Sequence, residues 1–167
     1  SATLLPLKYC QDRLGGQEED GAIRLPSPFD PKNLQVMAAR VSTRYRDRER
    51  NDSLVARYIK GAVQQKTGNY FVFFPSYEYM RNVYALYRET WPRDRVIIQE
   101  SGMSEGERED FLSIFTDGPD QTLIAFAVMG GIFSEGIDLA GDRLSGAIIV
   151  GVGLPQISME REVIHGY

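Results

Sequence analysis

Residues 129–139 concentrate the residue types best suited to binding a ligand. The segment holds three glycines, a serine and two carboxylates, and it follows an apolar run typical of a buried strand. Glycines let a backbone turn tightly and approach a phosphate, while Asp138 could accept a hydrogen bond from a ribose hydroxyl or approach a metal-bound water. A wide strand-to-helix loop, with glycines at positive φ and carboxylates as helix caps, fits the residues equally well. The residues alone favour neither interpretation.

Several catalytic motifs are missing from the chain. Gly130, Gly131 and Gly136 do not form a G-x-G-x-x-G pattern, and no G-x-x-x-x-G-K-[ST] loop occurs in the 167 residues. The single histidine, His165, cannot supply a histidine triad or a His-rich metal site. The single cysteine, Cys10, cannot form an internal disulfide and has no Cys or His at metal-ligand spacing. These absences exclude much classical hydrolase chemistry, and we predict no metal site within this chain.

Composition indicates one soluble globular domain. Hydrophobic residues make up 43% and charged residues 25%, and no apolar run approaches the roughly 20 residues needed to cross a bilayer. The first residues lack a basic segment followed by a long apolar one, so no signal peptide is predicted. We expect a reducing, cytosolic compartment and no membrane partner.

Charge is distributed unevenly along the chain. The net charge is −4, but from Val96 onward three basic residues face twelve acidic ones, so the first part is net basic. Five of its arginines lie in one short segment: Arg40, Arg44, Arg46, Arg48 and Arg50. They could mark a nucleic-acid face, but interleaved acidic residues favour a solvated strand edge and turn.

The elements that would position the glycine-rich loop alternate in type. Apolar runs predict strands at 34–41, 70–74, 96–99, 123–128 and 147–152. Near-continuous apolar strands separated by helices predict an α/β fold with a mainly parallel sheet covered on both faces. Ligands bind such sheets at the loops after the carboxyl ends of the strands.

Helices are predicted between these strands. One starts from a cap at Asp52 or Ser53, a second covers residues 76–89, and a third starts at Ser104, which is spaced from Glu107 as in a capping box. The tyrosines of the second helix have helical spacing, so Tyr84 and Tyr87 are interpreted as core or half-buried residues rather than as side chains that stack on DNA bases. Residues 11–31 are rich in Gly, Pro and acidic residues and predict a linker, with the packed domain starting near Asn33.

Residues 131–139, followed by 141–142 and 151–155, resemble motif V of XPD/DinG-type superfamily 2 DNA helicases. Three other segments occur in the order of that family: 1–4 resembles motif III, 27–29 the start of the second motor domain, and 73–77 motif IV. The resemblance covers nearly the whole chain. It implies a RecA-like, P-loop NTPase-type three-layer domain, in which 1–32 form the tail of motif III and a linker. Residues 33–167 would then be the second motor domain, ending before motif VI.

The resemblance also implies roles for individual residues. On the DNA backbone it would place Pro75, Ser76, Tyr77, Gly131 and Ser134. On the nucleotide side it would place Glu135, Gly136 and Asp138, and at the edge of the partner domain Ser1, Ala2 and Thr3. Ser76 is also expected to cap the following helix, which is compatible with a phosphate contact.

The resemblance implies an ATP-dependent helicase of DNA repair or replication, acting on single-stranded or forked DNA in the bacterial cytosol or nucleoid. ATP and Mg²⁺ would be bound mainly by the enzyme's own first motor domain, and an iron–sulfur cluster would not involve this chain. Without the phosphate-binding lysine and the arginine finger, the 167 residues alone should not turn over ATP. Two rival hypotheses are a non-catalytic α/β interaction module, favoured by the acidic second part, and a small-molecule enzyme using the loop 130–141.

Overall fold

The computed structural model describes residues 5–17, 19–21, 23, 25–133 and 137–153. Their contacts divide the chain into two compact units, Ser1–Ala38 and Ala39–Tyr167. Among the described residues, none of the helices has the length and apolar character that a bilayer crossing requires.

The first unit has little regular structure. Helix α1 covers Leu7–Arg13, so the first three residues of the predicted linker are helical rather than irregular. A 3₁₀ turn at Pro31–Asn33 is capped by Asp30, whose carboxylate accepts a hydrogen bond from the Lys32 N–H at 2.9 Å.

The predicted strand at 34–41 is wrong. Residues 34–43 have no regular secondary structure, and the apolar side chains of Leu34, Val36 and Met37 are more than 70% exposed. An apolar run becomes a strand only when a neighbouring strand pairs with its backbone. No such neighbour lies beside 34–41 in the part of the chain that the structure describes.

The second unit is built around a four-stranded parallel sheet. Its elements in chain order are α2 (Arg48–Val63), β1 (Asn69–Phe74), α3 (Tyr77–Thr90), β2 (Arg95–Ile98), α4 (Glu105–Ser113), β3 (Leu123–Val128) and β4 (Gly146–Ile149). The strand order is β2-β3-β1-β4, with β1 parallel to both β3 and β4 and β2 parallel to β3. The four predicted strands after residue 68 are confirmed to within a few residues at each end.

The connections explain why both faces of the sheet are covered. The chain passes from β1 over β3 to β2 and then returns to β3, so the two crossovers run in opposite directions. Because such crossovers are right-handed, α3 and α4 lie on opposite faces. Tyr70, Val72 and Phe74 of β1 pack toward α2 and α3, while Phe71 packs with Phe111 of α4. The predicted three-layer, RecA-like α/β fold is confirmed.

Two of the predicted helix starts are confirmed by their caps. Ser76 caps α3, and Ser104 caps α4 in a complete capping box with Glu107. Tyr87 is fully buried and Tyr84 is half-buried against the same core, which confirms the interpretation of both tyrosines as core or half-buried residues.

Helix α2 starts earlier than predicted. It begins at Arg48, and Asp52 is a buried residue of the helix rather than its cap. The first turn is held by contacts with the preceding turn: the Asn51 amide donates to the Ser42 carbonyl at 2.8 Å, and Ser42 donates to Asp47 at 2.6 Å. These contacts take the place of a side-chain cap at Asp47. They join residues five and nine positions apart, so the spacing that identifies a helix cap did not indicate this helix start.

Candidate functional site

The carboxyl edge of the sheet brings together the two loops that the sequence singled out. β1 and β3 are adjacent and end in register at Phe74 and Val128. After β1 the chain enters α3 on one face, whereas after β3 it packs onto the other face. Neighbouring strands whose connections leave to opposite faces open a crevice, the usual ligand position in an open α/β sheet.

The loop after β1 presents the start of α3. The Ser76 hydroxyl oxygen accepts a hydrogen bond from the Tyr79 N–H at 3.3 Å, so the predicted N-cap role is confirmed. Pro75, Ser76 and Tyr77 are all half-buried. The positive end of a helix and a hydroxyl that keeps its own hydrogen to donate suit an anion.

Gln99, directly after β2, connects the two loops. It is 1% exposed, and its backbone N–H donates to the Phe126 carbonyl at 2.8 Å. Its side-chain Oε1 accepts from the Val128 N–H at 2.9 Å, and its Nε2 donates to the Tyr77 hydroxyl at 2.9 Å. The loop after β2 was a predicted site, but no local motif singled out this side chain.

The first part of the loop after β3 is held at several points. Met129 N–H donates to the Phe74 carbonyl at 2.8 Å, and Gly131 N–H donates to the Val128 carbonyl at 3.3 Å. Gly130 has φ +73°, a conformation that favours glycine. From α4, Arg108 Nε donates to the Ile132 carbonyl at 2.9 Å. The loop is therefore fixed on both sides of Gly131.

The later part of the loop returns to the same face of the sheet. Ile137 and Leu139 pack against the α4-side core, while Asp138 between them is exposed. A 3₁₀ turn at Gly141–Arg143 follows, and its N-cap residue Ala140 makes no side-chain cap. In the described residues 137–145, Asp138 thus caps no helix, whereas the positive φ of Gly130 agrees with the wide-loop interpretation.

Some predicted site residues fall outside the described residues. These are Ser134, Glu135 and Gly136 in the loop after β3, and Ser1, Ala2 and Thr3 at the first unit. Their roles stay predictions.

Arg81 adds a positive charge beside Tyr77. Its guanidinium lies 5.9 Å from the centroid of the Tyr77 ring, and it also approaches Glu100 at 3.9 Å. The Arg81 side chain is 56% exposed, so it remains accessible to a ligand. Sequence reasoning missed this residue, although its position four residues after Tyr77 on a helix placed the two on one face.

Two arginines of the arginine-rich segment make contacts within the domain, whereas Arg40, Arg44 and Arg46 are exposed. Arg48 lies over the Tyr79 ring at 4.6 Å and donates to the Thr43 carbonyl at 3.2 Å, and Arg50 pairs with Asp47 at 3.1 Å. The segment is a 3₁₀ turn leading into α2, so the expected strand edge is wrong and the expected turn is confirmed. Elsewhere, no cluster of three or more metal-ligating side chains occurs among the described residues.

The sheet order, together with connections that leave β1 and β3 toward opposite faces, defines a RecA-like α/β domain. The carboxyl edge of such a sheet is the usual position for a ligand. Residues 59–167 match the family described as the helicase C-terminal domain, and the chain belongs to that family. The chain is also similar to the ATP-dependent DNA helicase CHL1 of Candida glabrata, with 28% identity over 97 residues. The match covers 55% of this chain and 11% of that relative's length.

Proposed function

We propose that this chain is the second motor domain of a longer ATP-dependent DNA helicase of the XPD/DinG type. The observation that carries the proposal is the family match over 59–167, which includes both loops of the β1–β3 crevice. The similarity to a protein named as an ATP-dependent DNA helicase agrees with it. The domain would bind single-stranded DNA, including the strand at a fork, and form one wall of an ATP cleft.

The crevice supplies groups suited to a DNA backbone. The start of α3, the Ser76 and Tyr77 hydroxyls and the Arg81 guanidinium lie close in sequence and structure. Phosphate oxygens accept hydrogen bonds, and hydroxyls, helix N-terminal amides and arginines donate them. Gly131 has no side chain and would contact the DNA backbone through its main chain.

The nucleotide would lie on the opposite side of the loop after β3. We assign Glu135, Gly136 and Asp138 to that side, and Ser1, Ala2 and Thr3 to the edge of the enzyme's first motor domain. The exposure of Asp138 is consistent with a contact to a group outside this domain. ATP would supply the energy of movement through hydrolysis.

The phosphates and Mg²⁺ would be held mainly by the first motor domain. This sequence has no G-x-x-x-x-G-K-[ST] phosphate-binding loop, and its described residues include no cluster of metal-ligating side chains. The 167-residue chain by itself should therefore hydrolyse ATP no faster than background.

Salt-dependent binding of a labelled single-stranded oligonucleotide tests the DNA side. For the isolated chain, log K should fall by about 0.7 per contacted phosphate for each decade of salt. Arg81→Ala should weaken binding and lower that slope by about one phosphate. Arg95→Ala is the matched control, because Arg95 is exposed and begins β2 at the opposite edge of the sheet. Equal effects of the two substitutions would contradict the assignment of the crevice.

ATPase measurements on the longer protein test the nucleotide side. Asp138→Ala should abolish DNA-stimulated hydrolysis while circular dichroism and the unfolding midpoint stay unchanged. An unchanged rate would remove the role given to this loop. If the longer protein with both motor domains shows no ATPase at all, the non-catalytic interaction module becomes the better account.

A further inference from the structure

Gln99 fixes the direction in which the Tyr77 hydroxyl presents its hydrogen. We infer that Gln99 is a positioning residue, which keeps Tyr77 as a hydrogen-bond donor toward a DNA phosphate and links it to the loop after β3. This inference rests on the proposed DNA-binding function, and it assigns a role to a residue outside the motifs that suggested that function.

The orientation of the Gln99 amide follows from its partners. The Val128 backbone N–H can only donate, so the side-chain atom 2.9 Å from it must be the carbonyl oxygen. The other end of the amide, Nε2, therefore faces the Tyr77 hydroxyl at 2.9 Å. An amide nitrogen can only donate, so the phenolic oxygen is the acceptor in this bond.

This polarity leaves the phenolic hydrogen directed away from Gln99. Tyr77 is half-buried, and the Arg81 guanidinium lies 5.9 Å from its ring centroid. A phosphate oxygen only accepts hydrogen bonds, so a hydroxyl already serving as an acceptor is prepared to donate to it. Gln99 thus prevents Tyr77 from turning its hydrogen inward.

The same amide is packed against the loop after β3. A Cβ placed on Gly131 would lie 3.1 Å from Gln99 Nε2 and 3.2 Å from the Val128 carbonyl oxygen. Gln99 is buried, and its carbonyl also holds the Val128 N–H at the start of this loop. One buried side chain therefore contacts the Tyr77 hydroxyl and also occupies the space beside Gly131.

A double-mutant cycle distinguishes positioning from a purely structural role. The dissociation constant of the isolated chain for a fluorescein-labelled oligo-dT would be measured for wild type, Tyr77→Phe, Gln99→Met and the double variant, with urea unfolding in parallel. We expect Tyr77→Phe and Gln99→Met each to weaken binding by about tenfold. In the Tyr77→Phe background, Gln99→Met should then cost less than twofold, because the hydroxyl it positions is absent.

Gln99→Glu provides a second variant that retains an acceptor for the Val128 N–H, should Gln99→Met unfold. Its carboxylate would accept the Tyr77 hydrogen and reverse the bond, so binding should weaken more in the Tyr77 background than in the Tyr77→Phe background. The added negative charge repels DNA in both backgrounds, so it cancels when the effect of Gln99→Glu in the Tyr77 background is divided by its effect in the Tyr77→Phe background.

The positioning role would be overturned if, in both cycles, the Gln99 substitution weakened DNA binding by the same factor whether residue 77 is Tyr or Phe. The proposed function would then remain intact. Absence of salt-dependent DNA binding by the folded wild-type chain would instead remove the proposed function, and this inference with it. An equal coupling energy between the Tyr77 and Gln99 substitutions in urea unfolding and in DNA binding would also contradict the positioning role.

Discussion

The ring centroid of Phe133, in the loop after β3, lies 4.6 Å from the ring centroid of Phe111 in α4. Phe133 is 1% exposed, and it also faces Phe71 of β1 at 6.0 Å between ring centroids. A residue of the candidate site is thereby part of the core on the α4 side of the sheet. The position of the glycine-rich segment before it is therefore set by packing as well as by hydrogen bonds.

Phe133→Ala should destabilise the domain by about 3–5 kcal/mol, because it removes a buried ring and leaves a cavity beside Phe71 and Phe111. Urea unfolding measures the change. Ile132→Ala, the exposed neighbouring residue in the same loop, is the matched control and should cost much less. A loss of less than about 1 kcal/mol for Phe133→Ala would contradict the packed position of the loop.

Asp52→Asn should stabilise the domain at pH 7 by about 1 kcal/mol. Asp52 is 5% exposed, and its Oδ1 has no hydrogen-bond partner among the described residues. Burial raises the pKa of Asp52 above its ordinary 3.8, although Arg48 opposes the shift. The folded state therefore holds the proton more tightly than the unfolded state, and this contribution to stability is lost as the pH rises through the folded pKa.

The gain from Asp52→Asn should accordingly shrink as the pH falls through the raised pKa of Asp52 in the folded state, below which Asp52 is itself protonated. Unfolding curves across that range provide the test. Glu49→Gln, at an exposed position of the same helix, should produce no comparable change in stability at neutral pH. A destabilised Asp52→Asn variant at pH 7 would indicate that the carboxylate has a favourable partner.

Ser104→Ala should cost about 1 kcal/mol, since it removes the cap of α4. The Ser104 N–H and hydroxyl donate to the Glu107 carboxylate at 2.7 and 2.8 Å, and both bonds lower the Glu107 pKa below its ordinary 4.5. A lowered pKa stabilises the fold at pH values above 4.5, and that contribution is lost as the pH falls through the folded pKa.

The difference between wild type and Ser104→Ala should therefore be smaller in acid than at pH 7, as measured by thermal unfolding. Ser101→Ala removes a hydroxyl from an exposed turn just before the helix and is the control. A pH-independent difference would rule out a contribution from the bond between the Ser104 hydroxyl and Glu107.

Asp94→Ala should destabilise the domain by about 2 kcal/mol. The Asp94 carboxylate accepts hydrogen bonds from Lys60 Nζ and from the Tyr87 hydroxyl, each at 2.7 Å. Tyr87 is fully buried, so losing its acceptor leaves a buried hydroxyl unpaired. Tyr87→Phe removes that hydroxyl and should cost less. Equal unfolding midpoints for wild type and Asp94→Ala in urea would contradict this network.

The elements that flank the crevice could be predicted from local patterns. The apolar runs that became β1 and β3 are continuous over their whole length, and the caps at Ser76 and Ser104 lie at fixed spacings from the residues they bond. Residues 34–41 had a similar apolar pattern but formed no strand. A pattern records which side chains favour burial, whereas pairing depends on a neighbouring strand.

The sequence by itself determined the fold class, the helicase resemblance and the two loops after β1 and β3. Only the tertiary structure decided that Gln99 joins those loops, because its bonds to Tyr77 and Val128 cross 22 and 29 residues of chain. Such contacts depend on the strand order and on which edge each strand end reaches. Local propensity and motif spacing act over a few residues, so they fix the elements and leave the bonds between them to the packing of the sheet.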